Sequence, residues 1–128
     1  MDYLMKKRTK KQVWTKKLDD LFRKVIQTRD DSTCQVCGKK SGCQVSHFFS
    51  RRRLSVRWDT RNACLMCVHC HLYWFHRDIG SASKWLHIYL GEKNYQNLWT
   101  KAQVVKAQIN YEQIYKDLLG ELDTLKIL

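Results

Sequence analysis

Proline is absent from the 128 residues of this chain, and glycine occurs only five times. The sequence also has no run of about 18 apolar residues, which excludes a transmembrane helix. The Lys-rich N-terminus lacks the apolar stretch of about 7–15 residues that a secretory signal contains. We therefore expect a cytoplasmic protein that has no membrane partner. An apolar fraction of 44% excludes disorder of the whole chain.

Acidic residues are half as frequent as basic ones, 12 against 24, which gives a formal net charge of +12. A surplus of this size indicates a polyanionic partner, and we expect nucleic acid. The net charge is +6 over residues 1–30, +5 over 31–80 and +1 over 81–128. We interpret these segments as a basic N-terminal arm and helix, a core that carries the chemistry, and a C-terminal helical extension that packs on the core.

All six cysteines lie between residues 34 and 70. In a cytoplasmic protein, cysteines indicate a metal site rather than disulfides. Two CxxC pairs stand 30 positions apart, and four thiolates around Zn²⁺ make a closed structural site. The predicted ligands are Cys34, Cys37, Cys67 and Cys70. Cys64 with Cys67 has the same spacing, but Cys64 alternates within a predicted strand, so we interpret Cys64 and Cys43 as core residues.

The hydrophobic periodicity predicts an α+β fold. Apolar residues at i, i+3, i+4, i+7 and i+8 from Leu18 predict a helix that starts near Thr15, with Thr15 as its cap. Residues 43–49 and 63–67 are typical of strands, and residues after Cys70 favour a helix that ends near Gly80. Further helices are predicted over 83–90, closed by Gly91, and over about 92–107 and 109–126.

Three polar residues inside the cysteine frame form a candidate catalytic group. His47 ends the first predicted strand, Asn62 opens the second, and His71 follows the last cysteine. An imidazole can deprotonate water at neutral pH, and a second one can hold a divalent metal beside a phosphate. An amide side chain can tie the intervening loop and orient the base. We therefore expect the three residues around one pocket.

The segment from Asn62 to His71, preceded by His47 and a CxxC pair, resembles the HNH (ββα-metal) nuclease signature. The finer resemblance is to the NinG/Rap family of phage recombination proteins, and it covers the chain from about Trp14 to Leu125. It depends on the motifs Arg29-Asp30, Ser46-His47-Phe48-Phe49-Ser50-Arg51 and Arg57-Trp58-Asp59-Thr60-Arg61-Asn62, and on the pattern Gly91-Glu92-Lys93…Leu98 and Tyr111…Leu118.

This resemblance implies a zinc-stabilised ββα-metal, treble-clef-like core that is flanked by an N-terminal helix and C-terminal helices. It also implies an endonuclease that cuts branched DNA intermediates with Mg²⁺ or Mn²⁺, leaving a 5′-phosphate and a 3′-hydroxyl. HNH enzymes usually carry Asp or His before the base, where this chain has Ser46. The metal ligands then include His71, and either His76 or Asp59 completes the set.

A loop between the two predicted strands is rich in arginine, whose guanidinium group bonds phosphate oxygens bidentately. Its candidate DNA-binding residues are Arg51, Arg52, Arg53, Arg57 and Arg61, with only Asp59 opposing them. Lys10 and Lys11 belong to an N-terminal basic run that would add a less ordered electrostatic clamp. Tyr73, Trp74 and Phe75 suit core packing better than base stacking.

These features together predict a small HNH endonuclease that uses His47 as its base and binds branched or junction DNA. If the chain is phage-encoded, it would act in the host cytoplasm. A homodimer would suit paired cuts across a junction, and recombination proteins are candidate partners. Two alternatives stay open: a treble-clef zinc module that binds DNA without cutting it, and an HNH enzyme that cuts linear duplex.

Overall fold

The computed structural model describes residues 6–128, so the first five residues of the predicted basic arm lie outside it. Over this range the fold is α+β, as predicted. The elements are helix α1 (Lys10–Arg29), strands β1 (Cys43–His47) and β2 (Ala63–Cys67), a π-helical segment (His69–Phe75), and helices α2 (Ile79–Leu90), α3 (Glu92–Ala102) and α4 (Tyr111–Ile127). None of the helices between residues 6 and 128 is long and apolar enough to cross a bilayer.

Helix α1 begins five residues before the predicted start, so the prediction of Thr15 as its cap was wrong. Thr9 and Gln12 form a capping box, in which the Gln12 backbone N–H donates to Thr9 Oγ1 at 3.2 Å and the Thr9 N–H donates to Gln12 Oε1 at 2.9 Å. The predicted apolar stripe is confirmed, since its members are buried: Leu18, Leu21, Phe22, Val25 and Ile26.

The two strands form an antiparallel hairpin with Cys43 opposite Cys67 and His47 opposite Ala63. Strand β2 has the predicted bounds and is buried along its whole length. Strand β1 ends two residues before its predicted end, because the Phe49 backbone N–H donates to the side-chain oxygen of Asn62 at 2.8 Å instead of to the neighbouring strand. Both strands contact the main core, since Leu65 of β2 belongs to it and Cys43 and Val45 of β1 pack against it.

The main hydrophobic cluster draws on all three sequence segments. Helix α1 packs against α4, and between them lie residues of the central segment. Members of the cluster include Leu18 and Phe22 from α1, Trp58 and Leu65 from the centre, and Leu118 and Leu122 from α4. The N-terminal and C-terminal helices consequently share one core with the segment that carries the cysteines.

An ion pair between Arg29 and Asp30 joins the end of α1 to the hairpin. Arg29 Nε donates to Asp30 Oδ1 at 2.8 Å, and the Arg29 Nη atoms donate to the carbonyl oxygens of Thr60 and Ala63 at 2.6 and 2.7 Å. Asp30 Oδ2 accepts the backbone N–H of Leu65 at 2.9 Å. Asp30 is only 6% exposed, so this network replaces water for several polar groups at once.

The helix predicted after Cys70 is a π-helical segment, and it is separate from α2. Gly80 lies within the first turn of α2 rather than at a helix end, so the prediction of a stop there was wrong. Gly91 does end α2, as predicted, with a φ of 79° that a residue without Cβ adopts readily. A π-helix is usually a short functional distortion, and here it sets the relative positions of two histidines.

Candidate functional site

The four predicted ligand cysteines form one compact cluster. The Sγ atoms of Cys34, Cys37, Cys67 and Cys70 all lie within 4.8 Å of one another. Cys37 Sγ and Cys67 Sγ are 3.7 Å apart, close to the edge of about 3.8 Å of a tetrahedron with Zn–S bonds of about 2.3 Å. Three of the four cysteines are buried. The donor set and spacing fit a closed structural zinc site.

Cys34, in the first CxxC pair, is prepared to supply a thiolate. Burial by itself raises the pKa of Cys34, but hydrogen bonds from the backbone of Cys37, Cys67 and Val36 outweigh burial and lower this pKa to about 6. A thiolate at neutral pH is the form that binds metal. Cys64 lies outside the cluster, and burial raises the pKa of its thiol. The alternative pairing of Cys64 with Cys67 is therefore excluded.

A second site is an open cleft of about 560 Å³ beside the outer face of the hairpin. His47, His71 and His76 all line it, so the fold brings together the two histidines that were predicted to face one pocket. The other lining residues are Asp19, Phe22, Arg23, Gln27, Cys43, Gln44, Val45 and Arg51. The cleft thus combines three imidazoles with two guanidinium groups.

His47 is held in a defined orientation at this cleft. Its ring stacks on Phe22 with centroids 5.3 Å apart, and its Nε2 lies 2.9 Å from the carbonyl oxygen of Arg57. Because a carbonyl can only accept, Nε2 carries the hydrogen and Nδ1 keeps the lone pair of the neutral ring. Burial lowers the pKa of His47, and the positive charges of Arg51 and Arg57 lower it further. His47 is therefore a neutral base at physiological pH.

Asn62 lies behind the cleft and does not line it. It is fully buried, and its Nδ2 donates to the carbonyl oxygens of Phe49 and Val56 at 3.0 Å each. The Phe49 N–H donates to Asn62 Oδ1, so both the oxygen and the nitrogen of the Asn62 side-chain amide are bonded to the backbone of the loop. The loop residue after Val56 is Arg57, whose carbonyl orients His47. Asn62 is thus a positioning residue rather than a group that contacts a substrate.

The winding of the π-helical segment pairs His71 with His76. In an α-helix, residues five apart would differ in direction by about 140°, whereas π-helical hydrogen bonds link residues i and i+5. The two rings are 4.9 Å apart between centroids. His71 Nδ1 is a buried atom without a hydrogen-bond partner among the described residues. Burial and the neighbouring His76 lower the pKa of His71, which favours its neutral form.

The side chains around the cleft limit the number of ligands that a metal ion could have there. In the described part of the chain, the four cysteines are the only group of three or more metal-ligating side chains close enough for one ion. Asp19 accepts hydrogen bonds from Arg57 and Trp58, and these outweigh the effect of burial and lower its pKa. Ser46 is fully buried. Asp59 is bound to Arg61 and Lys101, away from the cleft.

A basic groove of about 1040 Å³ opens beside the cleft, between α1 and the arginine-rich loop. Its basic lining residues are Lys6, Arg8, Lys11, Lys16, Arg23, Arg51, Arg52 and Arg57, and its acidic ones are Asp19 and Asp20. Asp19, Arg23 and Arg51 line both the groove and the cleft. The two sites are therefore continuous, and a positively charged path leads to the histidines.

The five predicted DNA-binding arginines divide into two sets. Arg51 and Arg52 are exposed, and both line the groove. Arg57 forms a two-contact ion pair with Asp19 at 2.8 and 3.1 Å, an acid that the sequence did not place opposite the loop. Arg61 is paired in the same way with Asp59, and Arg53 donates to the Ala102 carbonyl oxygen at 2.9 Å. These three arginines hold the fold together.

The N-terminal basic residues divide in a similar way. Lys11 lines the groove, whereas Lys10 does not. Lys17 is occupied elsewhere, with its Nζ over the rings of Trp14 and Tyr115. Arg23 was missed by sequence reasoning, although its spacing of four residues from Asp19 puts the two on neighbouring positions of α1. Tyr73 is exposed, while Trp74 and Phe75 pack against other aromatic rings.

Comparison of the chain with protein-family models, curated proteins and solved structures gives no match. The chemistry of the site must therefore be inferred from its own geometry. That geometry consists of a cysteine cluster, a cleft lined by three histidines, and a basic groove that opens into this cleft.

Proposed function

We propose that this protein is a metal-dependent DNA endonuclease with a zinc-stabilised ββα-metal core, and that it cuts branched DNA. The observation that carries the proposal is the position of His47: a neutral, backbone-oriented imidazole at the point where a basic groove meets two further histidines. A phosphodiester backbone fits the groove by charge. A base with a lowered pKa beside it fits hydrolysis of that backbone.

In this proposal His47 takes a proton from the attacking water at Nδ1. The Arg57 carbonyl fixes the ring, and Asn62 and Asp19 fix Arg57 by its loop and its side chain. This chain of contacts matters because a general base must be aimed at its proton before its pKa has any effect. Arg51 lies at the same junction and is placed to neutralise charge on the phosphate.

His71 and His76 would hold the catalytic divalent ion, which would supply charge stabilisation to the phosphate and the departing oxygen. The buried, unpartnered Nδ1 of His71 and the closeness of the two rings support this assignment. Imidazole nitrogens without a free carboxylate favour a transition-metal ion over Mg²⁺, which prefers oxygen ligands. Of the two ions expected from the sequence, Mn²⁺ is therefore favoured.

Branched DNA is proposed as the substrate because the groove offers charge rather than base-reading groups. Most of its exposed members are Lys and Arg side chains, which suit contacts to phosphates, and such contacts carry no sequence information. Selection by shape fits this surface better than selection by sequence.

The decisive test compares wild type with His47→Asn on labelled four-way junction, flap and linear duplex, with Mn²⁺, Mg²⁺ or EDTA. The variant loses the basic nitrogen, so cleavage should fall about 10²- to 10⁴-fold while binding in EDTA is retained. His87→Ala removes an imidazole that contacts Glu92 and Tyr95 outside the cleft, and it should cut normally.

Three results would change this proposal. Unchanged cleavage by His47→Asn would contradict the assignment of the base. Tight binding without cutting under any metal would favour the zinc module that only binds DNA. Preference for linear duplex would overturn the branched substrate alone.

The pH profile should carry the signature of His47. Cleavage by a neutral base rises with pH through the His47 pKa and levels off above it, so the acid limb should lie below the ordinary value of 6.5. Arg51→Ala removes a positive charge that lowers this pKa, so the limb should move to higher pH. A profile of kcat/KM against pH measures both positions. An unmoved limb in Arg51→Ala would show that another group titrates.

A further inference from the structure

Helix α1 presents one continuous row of side chains to the groove and the cleft. The α1 residues that line the groove are Lys11, Gln12, Thr15, Lys16, Asp19, Asp20 and Arg23, and those that line the cleft are Asp19, Phe22, Arg23 and Gln27. Positions 11, 15, 19, 23 and 27 are four residues apart, so each is turned by about 40° from the one before and the row winds slowly around the helix. The row therefore follows the groove into the cleft.

Among the described residues that line the groove and the cleft, positive charge lies on only one side of the histidines. The three charged residues that line the cleft are Asp19, Arg23 and Arg51, and all three also line the groove. Asp19 is neutralised by Arg57, so the two arginines set the charge at the junction. Beyond them the cleft is lined by Gln27, Cys43, Gln44 and Val45, which carry no charge at neutral pH.

We propose that the protein grips a duplex DNA arm on one side of the scissile phosphate only, with Arg23 and Arg51 as the phosphate clamp nearest the cut and Lys11 near the far end. This inference rests on the proposed function and deepens it by assigning the polarity of the DNA path. Arg23 has only a 3.5 Å contact with exposed Asp20, and such a surface contact leaves it available to a phosphate.

Helix geometry sets the length of the gripped arm. Lys11 and Arg23 are twelve residues apart in α1, which corresponds to about 18 Å at a rise of about 1.5 Å per residue. Phosphates of one strand rise by about 3.4 Å each along the duplex axis, and because the strand also winds around the axis, neighbouring phosphates lie farther apart than this rise. The strip along α1 therefore spans a few consecutive phosphates of one strand.

Ethylation interference on a labelled four-way junction in EDTA tests this path without any cleavage. Wild type should show one short run of consecutive phosphates whose ethylation blocks binding. Arg23→Ala and Arg51→Ala should remove the interference at one end of the run, and Lys11→Ala should remove it at the other. If ethylation blocks binding on both sides of the phosphates that depend on Arg23, the one-sided grip is overturned.

Salt titration of binding to the same junction gives an independent measurement. Each of the two arginine variants should weaken binding about threefold or more and reduce the slope of log K against log salt by about one unit. Lys24→Ala is the matched control, since Lys24 is exposed on α1 and lines neither site. An equal loss in Lys24→Ala and Arg23→Ala would show that only net charge matters and would overturn the clamp.

The outcomes separate this inference from the proposed function. If the junction is bound with the expected interference but never cut, the nuclease assignment fails and the one-sided path stands. If the junction is cut and interference is symmetric, the path fails and the nuclease stands. Thermal unfolding of each variant should match wild type, because Arg23, Arg51 and Lys24 are all exposed.

Discussion

Removal of the cysteine-bound metal is expected to unfold the segment that carries the cleft. Zinc binding by small cysteine sites is worth about 10–16 kcal/mol in apparent free energy, whereas a whole domain is stable by about 5–15 kcal/mol. The cluster joins the Cys34–Cys37 pair to the end of β2 and to the π-helical segment. Chelation should therefore abolish the cooperative thermal transition of this region, and circular dichroism and zinc analysis measure the result.

Two serine variants sharpen this prediction. Cys34→Ser removes a ligand and should lose most of the bound zinc, from one equivalent per chain to a small fraction. Cys43→Ser changes a half-buried cysteine that is paired with Cys67 in the hairpin but lies outside the cluster, so it should keep one equivalent. Equal zinc loss in both variants, or an unchanged melting temperature after chelation, would contradict a structural role for the site.

Asp30→Ala is expected to destabilise the metal-loaded protein by about 3–5 kcal/mol, the usual cost of removing one partner of a buried ion pair. The change leaves the Arg29 guanidinium without its carboxylate and the Leu65 N–H without its acceptor. Urea unfolding at saturating zinc measures the loss. Asp30→Asn keeps an acceptor for Leu65 but removes the charge, so its free energy of unfolding should be intermediate.

Asp20→Ala is the control for this effect. Asp20 also contacts two basic side chains, Lys16 and Arg23, but it lies on the exposed side of α1. Exposed ion pairs add little to stability, so its unfolding midpoint should stay close to that of wild type. If Asp30→Ala is as mild as Asp20→Ala, the network around Arg29 does not hold the hairpin to α1.

Local spacing was enough to predict the cysteine cluster and strand β2. Two CxxC pairs dictate four sulfurs on two tight turns, and a single metal can then draw the turns together. The start of α1 could also have been predicted, because Thr9-x-x-Gln12 is a capping-box signature. The prediction placed the start of the helix near Thr15 because it relied on the apolar repeat, which begins farther along the chain.

Contacts between distant residues could not be predicted in this way. Asp19 and Arg57 are 38 positions apart, and only the packing of α1 on the loop pairs them. Without that pairing, Arg57 resembles any other exposed arginine in a basic loop. The role of Arg53 was hidden for the same reason, since its partner is the Ala102 carbonyl oxygen in α3. Arg61 differs, because its partner Asp59 is only two residues away in the sequence.

The pairing of His71 and His76 depends on how the backbone between Cys70 and His76 is wound. An α-helical winding of the same residues is intrinsically the commoner one, and tertiary packing of Phe75 beside the cysteine cluster favours the wider form. If the two CxxC pairs came apart, the segment would lose this packing and could rewind as an α-helix, in which the two imidazoles would diverge. In the proposed nuclease, loss of metal from the cysteine cluster would therefore also weaken the binding of a divalent ion by His71 and His76.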